Sequence, residues 1–182
     1  MDKKKLLLHS CCAPCSSGVL EDLSLNYDIT ILFYNPNIFP KEEYELRKNE
    51  QIKFLNQLKP EVNVGFIEME YEPEEFYNFV LGFEGEPEGG ARCKKCYALR
   101  LDMAGKYAKE NNFDLFTTTL SVSPYKNASY LNELGEKISK KYNVEYLISD
   151  FKKKDGYLKS IQNSKKFGLY RQKYCGCEFS KR

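Results

Sequence analysis

The chain contains no long hydrophobic run. Its first apolar stretch, Leu6-Leu7-Leu8, gives way at once to His9 and Ser10. That is too short for a signal-peptide core or a membrane span, so a cytoplasmic address and no membrane partner are expected. Structural disulfides are disfavoured in that compartment, and an odd cysteine count of seven weakens the disulfide reading further. A glycine-rich phosphate loop is also missing. Where a nucleotide-binding α/β protein places its glycines, this chain has Ser10-Cys11-Cys12-Ala13-Pro14-Cys15, which speaks against ATP activation. No internal repeat, low-complexity segment or long linker interrupts the 182 residues. Hydrophobic residues make up 42% and charged residues 30%, so one globular domain spanning 1–182 is expected.

What is present is unevenly distributed. The formal net charge is +2, but residues 151–182 carry ten Lys or Arg against only Asp155 and Glu178, a surplus of +8. The last of these cations is Arg182. The first 150 residues are correspondingly acidic, at −6. Phe151, Tyr157, Phe167, Tyr170, Tyr174 and Phe179 interleave with the positive charges. Cations mixed with stacking rings suit an unpaired nucleic-acid loop. A solvated basic tail is the plainer reading of charge alone. Cys175 and Cys177 fall inside this segment, which tilts the balance toward a functional surface completing a metal site.

Apolar periodicity predicts strands at Lys4–Leu8, Ile29–Tyr34, Val62–Met69, Asp114–Leu120 and Val144–Ser149. Helices are predicted at Ser16–Leu25, Lys41–Leu58, Pro73–Leu81, Arg92–Asn111, Ser129–Tyr142 and Gly156–Phe167. In the second of these Tyr44, Ile52 and Leu55 are the expected apolar positions of an exposed amphipathic helix. Strands alternating with helices imply an α/β fold, a Rossmann-like, mostly parallel sheet with helices on both faces. Ligands of such sheets bind outside the carboxyl ends of the strands. The segments His9–Cys12, Asn35–Pro40, Leu120–Lys126 and the stretch after Asp150 lie there.

The cysteines form three tight groups: Cys11-Cys12 with Cys15, Cys93-x-x-Cys96, and Cys175-Gly-Cys177. Cys93 and Cys96 share one face at the start of a helix, an end that lowers thiol pKa values, and Arg100 joins that face. Vicinal Cys11 and Cys12 suit two neighbouring metals; Cys15, a turn further on, is either a ligand or a small buried residue. Gly176 lets the chain turn so that Cys175 and Cys177 both reach inward. His9, the sole histidine, is either structural or a ligand or proton carrier. A zinc held by four thiolates would leave three thiols idle and open to oxidation. A four-iron cluster with one further metal uses all seven, which favours redox chemistry. The competing reading is a zinc-stabilised, non-catalytic RNA-binding module.

Several motifs together carry a resemblance. His9–Pro14 with Cys15, Tyr34–Asn37, Gly89–Cys93 through Cys96–Leu101, Thr117–Thr119 with Ser123–Lys126, and Tyr170–Cys177 resemble the QueH-type epoxyqueuosine reductases over almost the whole chain. The resemblance implies a sheet related to adenine-nucleotide α-hydrolase folds, with an iron–sulfur cluster at the carboxyl ends of the strands. It implies deoxygenation of epoxyqueuosine to queuosine at the wobble position of tRNA, without cobalamin and with no use of nicotinamide or ATP. Two electrons and two protons enter and the oxygen leaves as water, so a low-potential electron donor is needed. The expected cofactors are a [4Fe-4S] cluster and an adjacent mononuclear metal, iron being favoured. Lys126, Arg171, Gln172, Arg100 and Asn35 are candidate contacts to tRNA or the modified base. Asp150, His9 and Tyr125 are candidate catalytic groups. Arg100 either neutralises cluster charge or makes a plain salt bridge.

Overall fold

A computed structural model describes residues 3–58 and 62–181. Five strands, β1 (Lys4–His9), β2 (Tyr27–Phe33), β3 (Val64–Glu68), β4 (Leu115–Thr118) and β5 (Glu145–Tyr146), form one sheet in the order β3-β2-β1-β4-β5. Every pairing is parallel, with Leu8 opposite Ile31 on one side and Thr117 on the other. This order places a topological switch point between β1 and β4, as in doubly wound α/β sheets.

Strand alternation decides which helix packs where. Leu7, Leu32 and Phe116 face one side and pack against α5 (Ala91–Glu110) and α6 (Ala128–Tyr142). The α5 stripe Tyr97, Leu101, Ala104 and Ala108, at helical spacing, is buried there. Leu6, Leu8, Ile29, Ile31 and Leu115 face the other side. They meet α1 (Ala13–Ser17), α2 (Leu20–Ser24) and Phe54 of α3 (Lys41–Asn56), with Phe151 and Leu169 closing that layer. Full burial of a leucine or phenylalanine at these positions contributes roughly 1.5–3 kcal/mol each. The remaining helices are α4 (Pro73–Val80) and α7 (Gly156–Lys166).

Three expectations need correction. The predicted helix Ser16–Leu25 is two short helices, broken at Gly18. A side chain there would put its Cβ 2.2 Å from the Gly156 carbonyl oxygen, so the break lets α7 press against α1. The last strand pairs only at Glu145 and Tyr146. Beyond it the Asn132 side chain donates to the Ser149 carbonyl at 3.0 Å and accepts from its amide at 3.1 Å, replacing the ladder. Finally, α3 buries Tyr44, Arg47, Gln51 and Phe54, while Ile52 faces solvent. Its inner face is half polar, for reasons the site explains. Arg182 lies outside the described residues.

Candidate metal centre and substrate cleft

All seven thiols are free, and all but Cys15 and Cys175 are buried. The first three gather where β1 gives way to α1. Cys12 precedes the helix in extended backbone and Pro14 opens its first turn, so the chain reverses direction within one thiol group. The sulfurs of Cys11, Cys12 and Cys15 lie within 4.8 Å of one another, those of Cys11 and Cys12 at 3.9 Å. This group is capable of ligating a metal. Hydrogen bonds from Cys12 and Cys15, with Arg100 and Lys126 nearby, hold Cys11 well below the ordinary thiol range. Cys12, whose bond to Cys11 favours its protonated form, is pushed up to about 11.

The other four thiols come from two distant segments. Cys93 and Cys96 stand in the first turns of α5, where the Gly89 amide donates to Cys93 Sγ at 3.2 Å. Cys175 and Cys177 arrive on an irregular segment after α7. Gly176 between them has φ +117°, a conformation closed to side chains, and its carbonyl accepts from the Phe39 amide at 2.8 Å. Cys93, Cys96, Cys175 and Cys177 line one cavity. Here the helix-end expectation fails for Cys96: burial outweighs it and pushes the thiol up to about 12.

Arg100 lies between the two thiol groups. It is only 3% exposed, and its Nε donates to the Cys96 carbonyl at 3.3 Å. Among the described residues it forms no ion pair with a carboxylate, which answers the salt-bridge alternative. Burial works against its charge, but Cys96, Cys11 and Cys175 outweigh that and keep it cationic. A buried guanidinium that has cysteine sulfurs and no carboxylate beside it is the electrostatic complement of thiolates that ligate a metal. The donor set and its counter-charge therefore fit a thiolate-bound metal centre.

A cleft of about 640 Å³ opens beside this centre, with Cys11, Cys15 and Cys175 on its lining. Lys126, Arg171 and Gln172 line it too, so the structure gathers three of the five candidate substrate contacts there, together with the catalytic candidate Tyr125. Tyr125 stands 86% exposed at the opening. Arg171 is tied to α7 through Nη1, which donates to Ser160 O and Ser164 Oγ, both at 3.1 Å. Gln172 Nε2 donates to Cys12 Sγ at 3.0 Å. Cys175, Tyr125, Lys126, Glu88 and Gly89 line both the cleft and the four-thiol cavity.

The remaining candidates sit elsewhere. His9 is fully buried; its Nε2 faces the Tyr34 carbonyl at 3.1 Å and Asn35 Oδ1 at 3.2 Å. Two acceptors there require the proton on Nε2, so Nδ1 accepts from the Thr118 hydroxyl at 2.9 Å. Burial and then Arg100 lower its pKa to about 4, which keeps the ring neutral. Asn35 also donates to Ser10 O at 2.8 Å, so the pair braces the turn that carries Cys11. Neither lines the cavities. Asp150 pairs with Lys152 at 3.2 Å and Lys153 at 3.4 Å and lies off both linings.

Sequence reading missed Arg47. It is 1% exposed, pairs through Nε with Glu43 at 2.7 Å, and donates to the Cys175 and Tyr174 carbonyls at 3.0 and 3.1 Å. Tyr174 stacks beneath the guanidinium, 5.3 Å from ring centroid to carbon. Gln51, one turn on, accepts from Ser10 Oγ at 2.9 Å and Ser16 Oγ at 3.0 Å. The polar inner face of α3 thus holds two of the three thiol segments in place. The only signal was the spacing of Tyr44, Arg47, Gln51 and Phe54 along one helical stripe.

A parallel α/β sheet with a metal-competent thiol site near β1 and an adjoining open cleft defines a class of α/β proteins with a candidate metal centre. Comparison with known proteins narrows the class. The family described as epoxyqueuosine reductase QueH matches residues 6–182. A protein of that name from Staphylococcus epidermidis is 46% identical over 183 residues, covering 98% of this chain and 77% of its own length. Those from Streptococcus pyogenes and Thermotoga maritima are 42% and 36% identical, covering 98% and 96% of this chain and 71% and 89% of theirs. The chain belongs to the epoxyqueuosine reductase QueH family and is a redox enzyme. No helix among the described residues is long and apolar enough to cross a membrane.

Proposed function

We propose that this protein reduces epoxyqueuosine to queuosine at the wobble position of tRNA, using an iron–sulfur centre supplied with electrons by an external low-potential donor. The single observation that carries the reading is Arg100, a buried cation held between two thiol groups with sulfur as its counter-charge. Family membership supplies the substrate. The parallel sheet order supports kinship with adenine-nucleotide α-hydrolase folds, with thiols replacing the phosphate loop.

On this reading Cys93, Cys96, Cys175 and Cys177 hold a [4Fe-4S] cluster, because four thiols spread around one cavity suit a multi-iron core. Cys11, Cys12 and Cys15, with sulfurs close together, hold a single companion metal. Bound there, these groups would supply single electrons and a Lewis acid for the epoxide oxygen. The chain itself positions the substrate. Tyr125 stacks on an unpaired base of the anticodon loop, and Lys126 and Arg171 neutralise phosphates beside the cleft. Two carbon–oxygen bonds are exchanged for a double bond, two electrons and two protons enter, and water leaves. His9, neutral and fully partnered, is left to brace the turn.

The test is an anaerobic assay with epoxyqueuosine-containing tRNA and a low-potential reductant, read by nucleoside mass analysis. Metal-replete protein is expected to yield queuosine; no product would overturn the reading. Cys96→Ala should lose the visible iron–sulfur absorption, and a full cluster yield would remove Cys96 from the ligand set. A colourless, zinc-loaded protein that binds RNA without turnover would establish the non-catalytic alternative.

A further inference from the structure

We propose that Gln172 is a positioning residue for the metal rather than for the RNA: its side-chain amide donates an N–H···S hydrogen bond to Cys12 and thereby sets the reduction potential of the metal held there. The inference rests on Cys12 being a ligand and adds what tunes it.

The geometry is direct. Gln172 Nε2 lies 3.0 Å from Cys12 Sγ, across 160 residues of sequence, so the contact is a product of the fold. The backbone on both sides is anchored. Tyr170 N donates to Glu50 Oε2 at 2.9 Å and its hydroxyl to Glu43 at 3.0 Å; Arg171 is tied to α7, and Arg47 grips the carbonyls of Tyr174 and Cys175. Held this way, the amide of Gln172 reaches the sulfur without displacing any neighbour.

The sense of the bond follows from chemistry. A metal-bound thiolate carries no proton and can only accept. The alternative amide orientation would aim Oε1 at the sulfur, which is productive only if Cys12 is protonated. In the observed orientation Oε1 is buried without a hydrogen-bond partner. An orphaned acceptor is costly, so the arrangement is favourable where the N–H meets a strong anionic acceptor, as a ligating thiolate is. The Cys12 sulfur would otherwise be poorly served: its neighbours Cys11 and Cys15 become acceptors themselves once they ligate.

The consequence concerns redox poise. A donor to a ligating sulfur withdraws charge from it, favours the reduced state and raises the potential. Removing the donor makes reduction harder and loosens the metal, as loss of an outer partner of a ligand generally does by about 10–100-fold.

The experiment compares the full-length reconstituted protein with Gln172→Glu, Gln172→Leu and Cys12→Ser by redox titration and by chelator competition. Gln172→Glu keeps the shape and abolishes the donor; Gln172→Leu also removes the polarity. Both should lower the equilibrium constant for one-electron reduction by about tenfold or more, 59 mV for each factor of ten. Both should retain the visible iron–sulfur spectrum. Wild-type potential and affinity in the Glu variant, with metal lost in Cys12→Ser, would overturn the role of Gln172 and leave the ligand assignment standing. Wild-type metal content and potential in Cys12→Ser would overturn both.

Discussion

The segment carrying Cys175 and Cys177 has no strand or long helix of its own, so its position depends on side chains, chiefly Arg47. Consider Arg47→Met, which keeps the length and apolar stem but removes the charge. Two carbonyls lose charged donors, each such bond being worth roughly 1.5–3 kcal/mol. Glu43, 11% exposed, loses its cation and keeps only the Tyr170 hydroxyl. These losses share one guanidinium and do not add. Breaking a buried ion pair by removing one partner costs roughly 3–5 kcal/mol, which sets the scale of the whole loss. The energy should be lost locally, because the sheet and α5 do not rest on this contact. At 1.4 kcal/mol per factor of ten, opening of residues 169–177 becomes about 10²–10⁴ times more frequent. The assay is amide hydrogen exchange at Phe39, whose N–H is bonded to Gly176 O, and at Tyr170, whose N–H is bonded to Glu50. Both should accelerate by that factor while core β1 amides hold, and iron uptake should fall. Arg47→Lys, with a single ammonium in place of the fork, should lie between. Wild-type exchange at both amides together with full iron loading in Arg47→Met would refute the reasoning.

Three further changes probe the same construction. Gly176→Ala forces a side chain onto φ +117° and brings its Cβ within 2.9 Å of Ile38, so roughly 1–3 kcal/mol of strain should reduce iron retention, measured by metal analysis after gel filtration. Arg100→Met removes the buried cation between the thiol groups; iron content should drop sharply while the far-ultraviolet circular dichroism stays near wild type, and full loading would show that the charge is dispensable. Lys126→Ala and Tyr125→Ala should leave the iron spectrum intact but weaken tRNA binding, the lysine change also lowering the salt slope by about one. A tyrosine stack is worth about 1–3 kcal/mol per base, or roughly 5–150-fold in Kd by filter binding.

The fold was legible because its signals are local. Lys4–Leu8, Ile29–Tyr34 and Asp114–Leu120 read as strands to within a few residues of their observed ends, and the α5 stripe from Tyr97 to Ala108 reads as a helix packed on a sheet. The thiol groups were legible because their members are neighbours in sequence. How the groups combine was not. Pairing of Cys93 and Cys96 with Cys175 and Cys177 depends on the path of the chain after α7, which no periodicity encodes. Arg47 and Gln51 were missed for a related reason. Polar residues at buried positions lower the amphipathic contrast of α3, so the helix looks exposed although one face is fully enclosed. Asp150, a candidate catalytic group just after the expected last strand, instead pairs with Lys152 and Lys153 off both linings.

The three thiol segments differ in what holds them, and that difference orders their response to metal. Cys11 and Cys12 follow a central strand hydrogen-bonded on both sides, so their backbone is fixed before any ligand arrives. Cys93 and Cys96 ride on a 20-residue helix whose opposite stripe is in the core. Cys175 and Cys177 rest on the Phe39–Gly176 bond, the Arg47 fork and the packing of Phe179 against Phe76 and Tyr77. A group that binds only the closed arrangement stabilises it by mass action, and most strongly where the free protein opens most easily. On the proposed reading, the C-terminal segment is therefore the part of the site that metal loading would rigidify. It also carries Arg171 and Gln172 to the cleft. Loading the centre and finishing the substrate surface would then be one event, because a single segment supplies residues to both.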